Sequence, residues 1–384
     1  MKTIMPIIFL LLTVSAFAIN KYSCLFLDIE PSSLNCALGE ITGVANIWHN
    51  DALLSYSNPA LPALSEGVRY GFTDNPWLKG SGFEDIYYKS AFWNVNRDGF
   101  AVTLPDFFQA RPHGVLINYG PEIVTNEHNE NIAVAHPYNK AGVYGVAFEL
   151  PAIFNLIDDN YTFSDKFHLA AGINYFDILS NFDLQYIGNG ELHKIKGEAH
   201  SWNWGIVTSG KYNLDRFLEF EAACGYADFN FTKEEIKYTL SEQSDIISRH
   251  GTIGAALSAS IPVSFLKLPP NLKPFLFCDK LLTMTYLVGN MDTFSDDANI
   301  KGNGMELGFF DTVFVRNGYY KDEDCPKVGG THGWGINLHY KNLFSYSYNY
   351  SSVPGGNLVN RQTAHDHNFM LNLQEIGKLA LSNL

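Results

Sequence analysis

The most chemically suggestive run in this chain is His365-Asp366-His367. On an extended strand alternate residues share a face, so the two imidazoles would stand together, as two metal ligands must. No third ligand is visible nearby. The run is read as the polar rim of a last strand, with no metal. Asp322-Glu323-Asp324 gathers the carboxylates that hard cations prefer. It lacks the Asp/Asn ladder and terminal Glu of a dedicated calcium loop, so a solvated loop is expected. Twelve histidines and many serines make a Ser–His pair easy to imagine. Neither a G-x-S-x-G elbow nor an H-E-x-x-H motif occurs, so no enzyme and no cofactor are expected.

Charge and composition narrow the classes further. The formal net charge is −14. Phosphate contacts need clustered Lys and Arg, so a nucleic-acid partner is excluded. Charged residues make up 17% of the chain, below the usual quarter or so. Aromatics reach 14%, with 28 Phe and 21 Tyr, yet mean hydropathy is only −0.07. Apolar bulk and polar residues must therefore be finely interleaved. The five cysteines show no C-x-x-C spacing. Cys24 and Cys36 are available to pair in an oxidising compartment, but their spacing does not demand it.

The elements that must carry these residues follow from hydropathy. Lys2, the apolar run Ile7 to Val14, and Ala16-Phe17-Ala18 form a signal peptide over residues 1–18. Beyond it no apolar stretch reaches the roughly 20 residues of a membrane-crossing helix. What recurs is alternation with a period of two, the mark of strands. Trp334, Ile336, Leu338 and Tyr340 share one face against Gly335, Asn337, His339 and Lys341. Phe344, Tyr346, Tyr348 and Tyr350 then oppose Ser345, Ser347, Asn349 and Ser351. Together they read as a hairpin. Leu218 to Ala227, Tyr144 to Leu150 and Asn368 to Leu373 repeat the pattern. About fourteen such segments lie between Gly67 and Leu373, many near the 9–11 residues of a tilted transmembrane strand. Turn-forming clusters such as Asp158-Asp159-Asn160, Gly188-Asn189-Gly190 and Pro354-Gly355-Gly356 separate them.

A soluble β-sandwich also has one apolar face. Here, however, the apolar faces are rich in Tyr, Trp and Phe, as membrane girdles are. The opposite faces carry Gly, Ser, Asn and scattered charges, which suit a polar lumen. In lipid, strands must close on themselves to leave no edge. The expected fold is all-β: an antiparallel transmembrane barrel in the cell outer membrane, surrounded by its lipids. Glu149, Glu219, Glu221, His339 and Lys341 are candidates to face its lumen.

Residues 19–66 do not alternate. They show Ala37-x-Gly39-x-x-x-Gly43-x-Ala45, then Asp51-Ala52, then Asn58-Pro59-Ala60. In this order, after a signal peptide and before a strand array, the segment resembles the start of FadL-like outer-membrane barrels. It is most similar to the PorV/PorQ family linked to type IX secretion. The match covers about 30 residues. The resemblance implies about fourteen strands and an N-terminal plug folded into the lumen. The expected organisation is a plug at 19–66, a barrel at 67–373 and a tail at 374–384. Gly39, Gly43, Asp51, Asn58, Pro59 and Ala60 are the plug motif. Asn58-Pro59-Ala60 is read first as an anchoring turn, ahead of any ligand role. The resemblance further implies a shuttle or scaffold for secreted proteins and their secretion machinery. The alternative is a conduit for small hydrophobic molecules. Many such barrels end in an aromatic residue. Here Gln374 to Leu384 follows the last strand, so either a short helix is appended or that strand lies elsewhere.

Overall fold

The computed structural model describes residues 22–65, 67–76, 86–108, 113–126, 128–157, 166–187, 191–215, 217–239, 244–266, 278–294, 299–322, 328–340, 343–355 and 361–382. The signal segment, Glu323, Asp324 and Lys341 lie outside them, as do the turn clusters at 158–160 and 188–190.

Among the described residues, fourteen antiparallel strands form the wall. They are β1 (Gly67–Pro76), β2 (Tyr87–Arg97), β3 in two parts (Phe100–Pro105 and Val115–Asn118), β4 (Tyr138–Glu149) and β5 (Phe167–Ile187). There follow β6 (Glu191–Asp215), β7 (Leu218–Phe229), β8 (His250–Pro262), β9 (Lys280–Thr293) and β10 (Asn299–Phe309). The last four are β11 (Val313–Asp322), β12 (Val328–Tyr340), β13 (Phe344–Pro354) and β14 (Arg361–Leu371). Each strand pairs with the next, and β14 returns to β1 through Val68↔Leu371 to Thr73↔Asp366. The barrel closes on itself, its ladder interrupted for three residues of β4.

Alternation dictates the two surfaces. In β12 and β13, Trp334, Leu338 and Tyr340 are exposed outside while Gly333, Ser345, Asn349 and Ser351 are buried inside. The same holds round the wall, with Val146, Trp204, Ile253, Tyr286 and Val315 all exposed. So large an apolar belt needs lipid against it. The closed wall and this belt place the chain in an outer membrane.

The barrel has a turn end and a loop end. At the turn end Asp98-Gly99 joins β2 to β3, and β1 starts there. At the loop end stand the 230–249 excursion, with its short hairpin Glu235–Tyr238 and Ser244–Ile247, and a separate hairpin of Glu122–Thr125 with Asn131–Ala135. β5 and β6 run 21 and 25 residues, far more than a crossing requires, so they rise past the membrane. In this architecture longer loops face outward from the cell and short turns inward.

One expectation needs amendment, and the open question of a Cys24–Cys36 pair is answered. His365 and His367 share a face, but it is the lipid-facing one, and they stand mid-strand in β14 rather than at a rim. The strand starts at Arg361, so its upper third lies beyond them. Tyr346 Oη meets His367 Nδ1 at 2.9 Å and Phe72 stacks on the same ring at 5.0 Å. Cys24 and Cys36 are not joined: Cys36 donates to the Glu30 carbonyl oxygen at 3.5 Å, while Cys24 lies among apolar side chains. After β14 the chain forms a short helix, Leu373–Ser382.

Candidate functional site

The N-terminal segment lies inside the wall. Its irregular backbone contains 3-10 turns at Leu25–Asp28, Ile41–Ala45 and Leu61–Leu64, a short helix α1 (Ser33–Ala37) and a helical turn α2 (Leu54–Ser57). Most of its residues between Pro31 and Ala63 are buried. Backbone without a ladder survives at membrane depth only if protein satisfies it.

Glycines make the close approach possible. Gly225, Gly254, Gly289 and Gly302 stand directly opposite one another on β7, β8, β9 and β10. A β-carbon on Gly225 would lie 2.1 Å from the Val44 carbonyl oxygen, one on Gly289 2.5 Å from that of Ile41, and one on Gly302 2.1 Å from that of Gly39. The segment thus lies with its backbone against a bare row of sheet. Gly39 itself has φ +93°, and a β-carbon there would meet Tyr319 O at 2.7 Å. No other residue fits both demands. Gly43 clears the Asn35 amide, which would otherwise be 2.0 Å away.

Inward-facing asparagines complete the backbone hydrogen bonds. Asn94 Nδ2 donates to Ala52 O (2.8 Å), Asn174 Nδ2 to Ser55 O (3.0 Å), and Asn96 Nδ2 to Pro62 O (3.0 Å) and Ala63 O (2.8 Å). Asn58 is extended, with φ −149° and ψ 114°, as a residue before proline prefers. Its Oδ1 accepts from Ala60 N at 3.0 Å, and its Nδ2 donates to Val44 O at 2.9 Å and to the β6 carbonyl of Ile206 at 3.2 Å. The Pro59 carbonyl lies over Gly172.

Carboxylates gather on the opposite side. Asp51 accepts from Ser32 Oγ at 2.6 Å and Leu53 N at 2.8 Å. Asp366 of β14 accepts from Ser33 N at 2.7 Å and Asn349 Nδ2 at 2.8 Å. Arg316 Nε donates to Glu306 at 2.6 Å, and His49 Nε2 lies 2.9 Å from the other oxygen of that carboxylate. Glu30 accepts from Ser57 Oγ at 2.8 Å and Ser32 N at 3.0 Å. It keeps some solvent contact in the lumen, but the wall encloses it. That desolvation outweighs the hydrogen bonds and pushes its carboxyl up to about 8. Burial raises Asp51 as well, against its bonds to Ser32 and Leu53.

Towards the loop end the lumen turns apolar. Phe26, Leu27, Leu53 and Tyr56 of the N-terminal segment pack on Phe92, Val143, Phe176 and Ile236. Beside this cluster the wall is broken. On β4, Thr103↔Gly145 is the last pair with the first part of β3, and Val115↔Ala141 the first with the second. Gly142, Val143 and Tyr144 have no ladder partner on that side, a gap of roughly 10 Å along the strand. Residues 107–114 are an insertion, since removing them would pair Leu104, Pro105 and Asp106 with those three in continuous register. Asp106 and His113 hydrogen-bond across its base. Gly114 dips between Phe92 and Val143, where a β-carbon would meet both at 2.8 Å. Outside, Phe108 is 86% exposed and stands edge-on to Trp93, and Phe107 lies near Tyr144. Apolar groups therefore run from the lumen cluster to the lipid face.

The proposed lumen residues divide. Glu221 accepts from Trp48 Nε1 at 2.7 Å and so touches the inner segment. Glu219 pairs with Lys211 at 2.9 Å and Glu149 with His168, both towards the turn end. His339 points inward, half-buried.

No family model and no curated protein matches this chain. Solved structures do. It is similar to the Ralstonia pickettii toluene transporter TbuX, at 10% identity over 90% of this chain and 99% of that one, with a TM-score of 0.42. It is similar to the Pseudomonas putida toluene transporter TodX, at 10% identity over 89% and 97%, TM-score 0.39. A Pseudomonas aeruginosa FadL homologue is matched at 10% identity over 88% and 96%, TM-score 0.33.

The residues that sequence reasoning missed are the glycine row, the inward asparagines, the Glu306–Arg316 pair and the 107–114 insertion. Glycines inside otherwise sound strands were the available signal, since they mark close backbone approach.

Proposed function

We propose that this chain is an outer-membrane conduit for small hydrophobic molecules, which leave its lumen sideways through the break in β3. The observation that supports this is the three-residue gap opposite Gly142–Tyr144, with apolar side chains on both sides of it. A hydrophobic solute gains nothing by crossing a polar lumen end to end. A side exit hands it straight to lipid, where apolar transfer is favourable by about 25 cal/mol per Å². The polar, plugged lower lumen then serves as a floor. The test is deletion of residues 107–114, which restores continuous register with β2 and β4. Cells carrying the deletion should take up radiolabelled monoaromatics and long-chain fatty acids no faster than cells lacking the protein. Heat-modifiable gel migration should persist as proof of folding. Undiminished uptake would overturn the side exit.

A second reading is a shuttle or scaffold for secreted proteins at the cell surface. The loop-end hairpin supports it, because Ile123, Ile132 and Val134 are exposed there, away from the lipid belt. Deleting residues 121–136 should then reduce display of secreted cargo and leave solute uptake intact. Unchanged display would remove this reading.

A further inference from the structure

Two helices leave the wall at its turn end. α3 (Leu150–Ile157) follows β4, and α4 (Leu373–Ser382) follows β14. Both touch the same turn, Asp98-Gly99. On one side, a β-carbon on Gly99 would lie 2.5 Å from the Ala152 β-carbon of α3. On the other, Gln374 Nε2 of α4 donates to Asp98 Oδ1 at 2.9 Å. The helices thus bracket the turn end of β14 to β4, the sector that carries the break in β3.

α4 is fixed at its start. Asn372 N donates to Leu343 O at 3.0 Å, and Asn372 Oδ1 accepts from Glu375 N at 3.2 Å. That side chain satisfies one of the free N–H groups of the first turn. The two sides of the helix differ. Gln374, Glu375 and Lys378 share one side, where Gln374 reaches the barrel turn and Lys378 Nζ lies 2.7 Å from Glu375 Oε1. Leu373, Ile376 and Leu379 recur every three residues on the other side, and all three are exposed. Leu373 also follows Phe369 and Leu371 in the outward row of β14, both exposed to lipid. The apolar stripe of α4 therefore prolongs the lipid belt past the end of the strand. α3 repeats the arrangement. Leu150 follows the exposed outward row Tyr144, Val146 and Phe148, and one helical turn further Phe154 is exposed.

We propose that α4 lies in the plane of the turn-side leaflet, its Leu373–Ile376–Leu379 stripe sunk at the level of the lipid carbonyls and upper acyl chains, with α3 seated likewise through Phe154. The polar side of α4 then faces the barrel turn and water. One Glu and one Lys leave α4 without net charge, so apolar burial holds it, and a neutral phospholipid surface is enough. This is independent of what passes through the lumen.

The full-length protein is reconstituted into phosphatidylcholine vesicles that contain a phospholipid with a photoactivatable diazirine near its glycerol backbone. Labelling is read by peptide-resolved mass spectrometry. The α4 peptide should be labelled at least fivefold more than the loop-end hairpin at 122–135. The double variant Ile376→Glu, Leu379→Glu should bring α4 down to the level of that hairpin and leave labelling of β13 unchanged. Gln at both positions repeats the test should the charges prevent insertion, and heat-modifiable migration checks folding. Labelling of α4 no higher than that of the hairpin, or labelling that survives the double substitution, overturns the proposal. So does a cross-link between the Lys378 residues of two copies that is lost in the double variant, which would make the stripe a contact between copies.

Discussion

The carbonyl oxygen of Val44 lies 2.1 Å from the point where a β-carbon on Gly225 would stand. Inner segment and wall are thus in backbone contact, and a single methyl group is enough to separate them. Gly225→Val should dislodge the segment locally at a cost of about 1–3 kcal/mol, the usual penalty of overpacking. Gly210, with open space where a β-carbon would go apart from Lys166 O at 3.9 Å, supplies the control. Gly210→Val should leave thermal stability in detergent nearly unchanged, and similar losses in the two variants would argue against the contact.

A barrel of about fourteen strands is too wide for its own side chains to fill. Removing residues 24–60 should therefore leave a barrel that inserts but passes small hydrophilic solutes. Planar-bilayer conductance measures this. A deletion variant that conducts no more than the intact protein would mean the segment does not seal the pore.

Tyr346 and Ser347 are adjacent on β13 yet face lipid and lumen respectively. Tyr348 lies on the same lipid-facing side, mid-strand and opposite His367. Tyr348→Arg should cost about 2–4 kcal/mol, and Ser347→Arg much less. Folding titrations into lipid vesicles give both values, and equal costs would show the faces to be misassigned.

The raised carboxyl of Glu30 gives the inner segment a pH dependence. Below the ordinary value of 4.5 the group is neutral whether the segment is docked or released, so docking is unpenalised. Above that value the released carboxyl ionises freely while the docked one resists. Docking therefore weakens as pH rises, until about 8, where the docked group ionises too. Channel-opening events in a bilayer should become more frequent between those limits. Glu30→Gln should flatten the dependence, and an unaltered profile in that variant would assign it to another group, Asp51 being the nearest alternative.

The Trp334 to Ser351 hairpin was legible because alternation is local: each residue's neighbours decide which face it takes. So were the approximate strand number and the odd, non-alternating start of the chain. The asparagine before Pro59 was legible as a turn, and its bond to Ile206 O was not, because that partner lies 148 residues away.

What the sequence by itself determined is the wall: a period of two assigns inside and outside, and with it the membrane. The tertiary structure alone decided which glycines line up, that Ser33 meets Asp366 across 333 residues, and that eight residues interrupt β3. The reason is register. Periodicity survives a shift of two residues unchanged, so it names a face without naming a partner, and only closure of the barrel around its inner segment selects one alignment.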